Sequence, residues 1–472
     1  MPTPLSTRAT LAAAALLLAG CAVGPQYHRP DAAAPEAFRG GDLAAARAPD
    51  LGWSQVYPDP ALRSLIEEAL SNGYEARIAA ARVEQYRAIA AQVHGQLLPS
   101  VGYDANGDRG KNALLGNAYT QGGGTTANGF DGYLSAAWEL DLWGRVRRLD
   151  QAARAQYLAS EAGRRGVLLS LTSEVATTYY DLLELDEELA IAHRATDSFS
   201  ESLSLFSERL QGGVSSGLET ASAEAARATS AARIPDLEAQ IAVTENLLSI
   251  LVGRPPGPIA RGARLADLPE PADVPAGLPS QLLERRPDVR QAEEEARAAN
   301  AEIGVTVGGF LPRIGLSAIL GGVSNSLNSI TSRKSGLWSV GASASGPLFQ
   351  GGGLRGQYQQ AKAAWEEAKL GYQRAALQAF GDVSNALVTR QKLAAKRQEQ
   401  ARAVSAYLEA VSLSEQRYRA GRASYYEVLQ AQQLLFPAEA ALAQTRRDQH
   451  TAVVQLYKAL GGGWDSEGKM RP

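Results

Sequence analysis

The stretch RLQGGVSSGLE at residues 209–219 returns as RYRAGRASYYE at residues 417–427. The two stretches lie 208 positions apart, and an arginine, a glycine, a serine and a glutamate fall in register. A repeat with so long a period indicates two copies of one structural unit in the chain.

Shorter matches extend the repeat over most of the sequence. Residues 173–176 and 251–253 correspond to 381–384 and 459–461 at the same offset, and LPSVG at 98–102 corresponds to LPRIG at 311–315. The last pair is offset by 213, which indicates loops of unequal length. We therefore predict a first repeat at 59–253, a linker at 254–278, a second repeat at 279–461 and a tail at 462–472.

The N-terminus is typical of a secreted bacterial protein. Arg8 precedes an apolar stretch at 11–19, and small residues lead to Cys21, the only cysteine. This pattern predicts a signal peptide at 1–20 and resembles the lipobox of bacterial lipoproteins, in which the cysteine carries the lipid. An ordinary signal peptide with an incidental cysteine is the alternative. The Pro-, Ala- and Gly-rich residues that follow predict an extended, lipid-anchored tether at 21–58.

Composition narrows the range of partners. The 472 residues carry a net charge of −3 with no large basic block, which argues against nucleic acid. A single cysteine excludes internal disulfides and Cys-rich metal clusters. Apart from the N-terminus, no apolar run reaches the roughly 18 residues of a transmembrane helix. If the protein spans a membrane, it must do so with strands.

Four segments alternate between apolar and small or polar residues. They lie at about 99–109, 130–142, 312–322 and 336–349, two in each repeat. Strands of this length and pattern are typical of outer-membrane barrels, although a soluble hairpin with one wet face is an alternative. Four strands cannot close a barrel, and an open edge in lipid leaves backbone groups unpaired. Membrane-spanning strands would therefore require several subunits.

Long helices follow the strands in each repeat. Residues 144–210 and 353–418 hold no proline and show heptad-like spacing, and at 1.5 Å per residue each would reach about 100 Å. After the repeated stretch, returning helices are predicted at 217–251 and 424–460. Pro235 and Pro437 lie inside them and predict a kink or a break.

Several motifs resemble the outer membrane factor family, the TolC-like efflux and secretion ducts, and in particular its lipoprotein branch. They are GLPSQLLERRPDVR at 277–290, WELDLWGR at 138–145 with its counterpart GPLFQGG at 346–352, and CAVGPQYHRP at 21–30. The resemblance covers essentially the whole mature chain.

The resemblance implies a mixed α and β fold: a homotrimer whose twelve strands form an outer-membrane β-barrel, continued by a long α-helical barrel through the periplasm. It implies the exit duct of a tripartite efflux pump in a Gram-negative bacterium. The partners would be a periplasmic adaptor, an inner-membrane RND-type pump acting indirectly, and outer-membrane lipid. A type I protein secretion duct and a lipid-anchored coiled-coil scaffold without a pore are the alternatives.

The repeated turns would lie at the periplasmic end of such a duct, where the family docks its adaptor. The corresponding residues here are Arg209, Gly213, Ser216, Arg417, Gly421 and Ser424. The plainer interpretation is that glycine and serine only build the turns, glycine by accepting a positive φ or a close backbone approach.

The resemblance also implies a constriction near the turns, for which Glu219, Glu427, Gln430 and Tyr418 are candidates. Threefold symmetry would turn one glutamate into a ring of three, whereas a lone glutamate in a first helical turn is explained by the helix dipole. Gln430 stands where family members often have aspartate, which argues against an aspartate gate.

Nothing in the chain indicates an enzyme, a metal site or a cofactor other than the lipid on Cys21. The four histidines, at 28, 94, 193 and 450, are scattered without ligand spacing. Trp138, Trp143, Trp338 and Phe349 are candidates for aromatic belts at the membrane interface, with burial at a strand–helix junction as the alternative for Trp143 and Phe349.

Overall fold

A computed structural model describes residues 22–40, 52–111, 126–214, 216–271, 274–275, 277 and 279–464. The predicted signal peptide, the lipidation site Cys21 and most of the predicted tail lie outside the described residues. Among the helices in these ranges, none is both long enough and apolar enough to cross a membrane.

The α-helices and β-strands of the described chain are, in order, α1 Trp53–Val56, α2 Pro60–Asn72, α3 Tyr74–Gly95, β1 Ser100–Lys111, β2 Thr126–Leu140, α4 Arg145–Gln211, α5 Gly217–Leu251, α6 Pro279–Arg285, α7 Pro287–Gly308, β3 Arg313–Ser324, β4 Gly336–Ser345, α8 Gly353–Arg419 and α9 Tyr425–Ala459.

Two of the strands end earlier than the alternation predicts. β2 ends at Leu140 because Asp141 caps the following helix, its two carboxylate oxygens accepting from the backbone N–H groups of Val146 (3.0 Å) and Arg147 (2.9 Å). β4 ends at Ser345 rather than at residue 349, since Pro347 has no N–H to donate to a strand ladder.

The long helices match the predicted ranges to within a residue. α4 and α8 each hold 67 residues, and the returning helices α5 and α9 each hold 35. Neither Pro235 nor Pro437 breaks its helix, although a break was one predicted outcome. Both prolines are exposed, where the loss of one backbone hydrogen bond costs less than it would in a core.

The four strands form one antiparallel sheet in the order β1-β2-β3-β4. The registers place Tyr103, Leu134, Leu320 and Trp338 in one row across the sheet. Two residues along, on the same face, lie Val101, Ala136, Ala318 and Val340. The large side chains of these rows are exposed, Tyr103 by 85% and Trp338 by 75%. The sheet therefore presents a continuous apolar face that no described residue covers.

The chain divides into two compact units that cut across the repeats. The first contains the residues up to Asp31, Val83–Ser160 and Gln291–Gln373, and the second contains Ala32–Arg82, Glu161–Arg290 and the residues from Arg374 onward. Each unit thus draws on both repeats, so the repeats are not separate domains.

The N-terminal segment of the first unit is held in place rather than extended freely. The N–H of Val23 donates to the carbonyl of Trp143 (2.9 Å), and Arg148 donates to the carbonyls of Val23 (3.0 Å) and Gly24 (3.2 Å). Further along, Arg29 pairs with Glu293 at 2.9 Å. The prediction of an extended tether is therefore wrong for its first residues, because their backbone groups form hydrogen bonds with the folded unit.

The prediction of an extended conformation is also wrong for the last residues of the tether, which belong to the second unit. Residues 53–56 form α1, and Trp53, Val56 and Tyr57 are buried. Large apolar side chains in this segment gain more from burial than from an extended conformation in water.

A buried hydrogen-bond network orders the core of the second unit. Asp59 caps α2 by accepting from the N–H of Ala61 (2.8 Å), and it also accepts from the hydroxyl of Tyr179 (2.9 Å). That hydroxyl in turn accepts from the N–H of Gly262 (3.0 Å).

Along α4, burial and the neighbouring Glu188 raise the pKa of Glu184 to about 7, so this carboxyl binds a proton near neutral pH.

Two glycines inside helices offer a matched test of the N-terminal packing. A Cβ on Gly304 would lie 2.8 Å from the carbonyl oxygen of Val23, whereas a Cβ on Gly356 would meet no described atom within 4 Å. We expect Gly304→Ala to lower the melting temperature and to expose the N-terminal segment to protease. Gly356→Ala should be neutral or stabilising by up to about 1 kcal/mol, the ordinary gain from removing a helical glycine. Equal effects of the two changes would contradict this packing.

Candidate functional site at the helical turns

The turn between α4 and α5 is closed by backbone hydrogen bonds around Gly213. The N–H of Val214 donates to the carbonyl of Arg209 (2.9 Å), and the N–H of Gly213 donates to that of Leu210 (3.0 Å). This pair of bonds is the Schellman motif, which needs a left-handed residue at the position after the helix. Gly213 supplies it with a φ of +72°.

The turn between α8 and α9 repeats this geometry. Arg422 donates to the carbonyl of Arg417 (2.9 Å), Gly421 donates to that of Tyr418 (2.9 Å), and Gly421 has a φ of +69°. A Cβ added to Gly213 or Gly421 would meet no described atom within 4 Å. Of the two predicted reasons for glycine here, the structure shows the positive φ, and among the described residues it shows no close backbone approach.

The two returning helices begin differently. Ser216 caps α5 in a capping box: its hydroxyl accepts from the N–H of Glu219 (3.4 Å), while the Glu219 carboxylate accepts from the N–H of Ser216 (3.1 Å). Ser424 also stands at the N-cap of α9, but its side chain makes no capping hydrogen bond within the described residues. Glu427 instead lies 3.7 Å from the guanidinium of Arg417.

An aromatic cluster binds the two turns together. Tyr425 packs edge-on against Phe206, with centroids 4.3 Å apart, and against Tyr418, with centroids 5.2 Å apart. Tyr425 also contacts the hydroxyl of Ser202, and burial raises its pKa. The guanidinium of Arg209 lies over the ring of Tyr418 and donates to its hydroxyl. Residues from α4, α5, α8 and α9 thus meet in one cluster.

The structure therefore brings all the predicted docking and constriction residues of one chain to adjoining turns. Tyr418 packs against Tyr425 and Arg209, so its ring is held within the cluster of one chain. Gln430 is exposed, and Glu427 is partly exposed. A ring of three acids involves other chains, so the constriction stays a prediction.

Sequence reasoning missed Phe206 and the capping box. The serine–glutamate spacing of a capping box is present in both copies, so the motif was visible in the sequence. Nothing local indicates that only the first copy forms it. The contact between Phe206 and Tyr425 joins residues 219 positions apart and carries no sequence signal of its own.

The predicted interfacial aromatics fall into two pairs. Trp138 donates its indole N–H to the carbonyl of Leu97 (2.9 Å), and Trp143 donates to that of Pro312 (2.8 Å). Trp338 and Phe349 are the more exposed pair, at 75% and 88%. Burial at a junction therefore does not explain Phe349 within the described chain.

The sequence profile of the outer membrane efflux protein family matches residues 65–254 and 278–462, one segment in each repeat. The chain therefore belongs to this family. The described residues contain no group of three or more side chains suited to hold a metal ion.

Relatives of known function match the chain over nearly its whole length. The solvent efflux pump outer membrane protein SrpC of Pseudomonas putida is 35% identical over 96% of this chain and 97% of its own. The cation efflux system protein CusC of Escherichia coli is 30% identical over 95% of this chain and 97% of its own. These relatives are named as efflux components, not as enzymes.

Solved channels share the fold. The outer-membrane channel OprN superposes with a TM-score of 0.86 at 30% identity, over 96% of this chain and all of that one. The open state of the MtrE outer membrane channel of Neisseria gonorrhoeae gives 0.85 at 31% identity, over 94% and 98%. The predicted fold class, outer-membrane location and efflux-channel function are thereby confirmed.

The two caps give a matched prediction. Ser216→Ala removes a capping hydrogen bond, which typically costs about 1 kcal/mol of helix stability, whereas Ser424→Ala removes none that the structure shows. We expect amide hydrogen exchange in the first turn of α5 to accelerate about fivefold in Ser216→Ala, as that free energy implies. The first turn of α9 should be nearly unchanged in Ser424→Ala. Equal acceleration in both would contradict the asymmetry.

Proposed function

We propose that three copies of this chain assemble into the passive exit duct of a tripartite efflux pump, with strands in the outer membrane and long helices in the periplasm. The observation that carries the proposal is one chain that joins a sheet with an exposed apolar face to two hairpins of 67- and 35-residue helices. The sheet suits a lipid environment, and the helices suit an aqueous one.

The sheet edges support the trimer. β1 and β4 are the first and last strands, so each offers one row of backbone groups that no described strand pairs. In lipid such groups must find partners, and pairing β4 of one copy with β1 of the next satisfies them around a closed ring. Twelve strands in three copies fall within the range of known outer-membrane barrels.

Exposed apolar side chains on the long helices support the same assembly. Leu377, Leu408 and Leu413 lie exposed on α8, and Val243, Leu247 and Ile250 lie exposed on α5. Large apolar surfaces on a soluble portion of a protein mark contacts with other chains. We assign these faces to neighbouring copies in the helical barrel.

The N-terminal segment supports lipid attachment at Cys21. Ala22 packs against Gly144, and the N–H of Val23 donates to the carbonyl of Trp143. The first described residues therefore lie beside the end of β2. A lipid on the preceding residue would enter the membrane next to the strands. The lipid on Cys21 is the one covalently attached group that we propose.

The adjoining turns would receive the periplasmic adaptor, and the inner-membrane pump would act through it. The second turn carries three arginines, Arg417, Arg419 and Arg422, where the first carries Arg209. Six turns in a trimer would thus be of two kinds. The relatives are named for toluene, solvents, cations and pyoverdine, and for this chain we propose small molecules as the cargo class.

Adjacent residues on β4 test the duct. Trp338 lies on the apolar face and Ser339 on the opposite face, so in a barrel one side chain meets lipid and the other the lumen. We expect purified wild-type protein to form conducting channels in planar lipid bilayers. Trp338→Lys should impair insertion, because a lysine on the lipid face near the bilayer midplane destabilises the inserted protein by about 2–4 kcal/mol. Ser339→Lys should insert and shift ion selectivity toward anions. Purified trimers without conductance would refute the duct.

Gly421 tests the docking role of the turns. Asparagine tolerates a positive φ, whereas tryptophan adds both backbone strain and bulk on an open surface. We expect Gly421→Trp to abolish efflux in cells, with trimers intact by native gel, and Gly421→Asn to retain it. Wild-type efflux in Gly421→Trp would refute docking at this turn.

A further inference from the structure

The two edge strands leave exposed apolar side chains at the same end of the sheet. Val101, near the start of β1, is 73% exposed, and Leu348, just beyond the end of β4, is fully exposed. The start of β1 and the end of β4 lie at one end because the ladders between them are all antiparallel. If β4 of one copy pairs with β1 of the next, these two side chains come to the same end of the new ladder.

The sequence repeat reproduces the strand register within the chain. The first strands of the two repeats are offset by 213 positions, as LPSVG and LPRIG are, and the helical turns that follow the second strands are offset by 208. Ser100 pairs with Ala137 in the first hairpin. Advanced by 213 and 208, these positions become Arg313 and Ser345, which are partners in the second hairpin. The two offsets therefore identify structurally equivalent residues in both strands of a hairpin.

The β2–β3 ladder is the template for a ladder between copies. In a closed ring the second strand of each repeat pairs with the first strand of the following repeat. β2 and β3 form this junction inside one chain, and β4 and β1 of the next copy form it between chains. Ala137 of β2 lies opposite Ser317 of β3. The two offsets transfer this pair to Ser345 of one copy and Asp104 of the next.

The facing of the side chains agrees with the transferred register. Ala136 lies opposite Ala318 in the β2–β3 ladder, and the transfer places Ala344 opposite Ala105, so alanine again meets alanine. Both Ala344 and Ala105 lie on the apolar face of the sheet, by alternation along their strands. A shift of one residue would set the apolar face of one strand against the polar face of the other.

The transfer also gives the two exposed side chains a contact. Leu140 lies opposite Ile314 at the end of the β2–β3 ladder. The equivalent residues are Leu348 and Val101, which are again two aliphatic side chains. Because β4 ends before Leu348, side-chain packing rather than backbone hydrogen bonding joins these two residues. The contact removes apolar surface of both from water.

We propose that β4 of one copy binds β1 of the next in this one register, with Ala344 opposite Ala105 and Leu348 packed on Val101. The register rests on the proposed exit duct, because the partner strand belongs to a second copy of this chain. It repeats between chains the junction that joins the two halves of one chain. A trimer then closes as a ring of equivalent hairpins, and none of its strands keeps a free edge.

Cysteine crosslinking of the full-length protein tests the register. Directly opposite residues of an antiparallel ladder have Cα atoms about 4.5–5.5 Å apart, within the reach of a disulfide, whereas diagonal neighbours are about 7–8 Å apart. After oxidation with copper phenanthroline, we expect Ala105→Cys/Ala344→Cys protein to run as a covalent trimer on denaturing gels. Ala105→Cys/Ala342→Cys makes the same change two residues along β4 and should give at least about fivefold less linked product. The single variants, which keep Cys21, should remain unlinked.

Native gels of the same proteins separate the register from the duct. Wild-type protein without trimers would refute both. Native trimers in which the control pair links as efficiently as Ala105→Cys/Ala344→Cys, or in which neither pair links, would refute the register and leave the duct intact.

A charge pair tests the contact beyond the ladder without added cysteines. Leu348→Glu alone should lower the melting temperature of the trimer, because it sets a carboxylate against the aliphatic side chain of Val101. Adding Val101→Lys should restore part of that loss, since opposite charges across neighbouring strands attract. Adding Val101→Glu instead should not. Equal melting temperatures of the two double variants would contradict the contact.

Discussion

The backbone pairing of β2 with β3 is the interaction on which the rest of the structure depends. β2 belongs to the first repeat and β3 to the second, and their ladder runs from Phe130 opposite Ser324 to Leu140 opposite Ile314. It joins two hairpins into one sheet and aligns their apolar side chains on one face. It also leaves β1 and β4 at the two edges, and in the proposed duct the unpaired backbone groups there bond to neighbouring copies.

Duplication supplied two turns of the same backbone geometry but different side-chain chemistry. Both use a glycine with positive φ to end a 67-residue helix, because only that conformation closes the Schellman bonds without strain. In the first copy Glu219 is held by its own cap, and in the second Glu427 faces Arg417. The equivalent glutamates therefore make different contacts, although their positions in the repeat are the same.

Packing around Tyr425 and burial around Tyr57 show two uses of tyrosine in one unit. The hydroxyl of Tyr425 is engaged by Ser202, and its ring joins the aromatic cluster that holds the turns together. The hydroxyl of Tyr57 is buried without a described partner beside a neutral histidine. A satisfied buried hydroxyl contributes to rigidity, whereas an unsatisfied one lowers stability and is tolerated only where the surrounding packing offsets its cost.

The sequence by itself determined the duplication, the four strands, the lengths of the long helices and the glycine turns. These features depend on residue periodicity and on the conformational preferences of glycine and proline, which act over a few positions. It did not determine that the supposed tether is packed, that only Ser216 forms its capping box, or that Arg209 lies over Tyr418. Tertiary structure decided these points. The groups that contact each other are far apart in sequence, or they compete for partners that only the folded chain brings near.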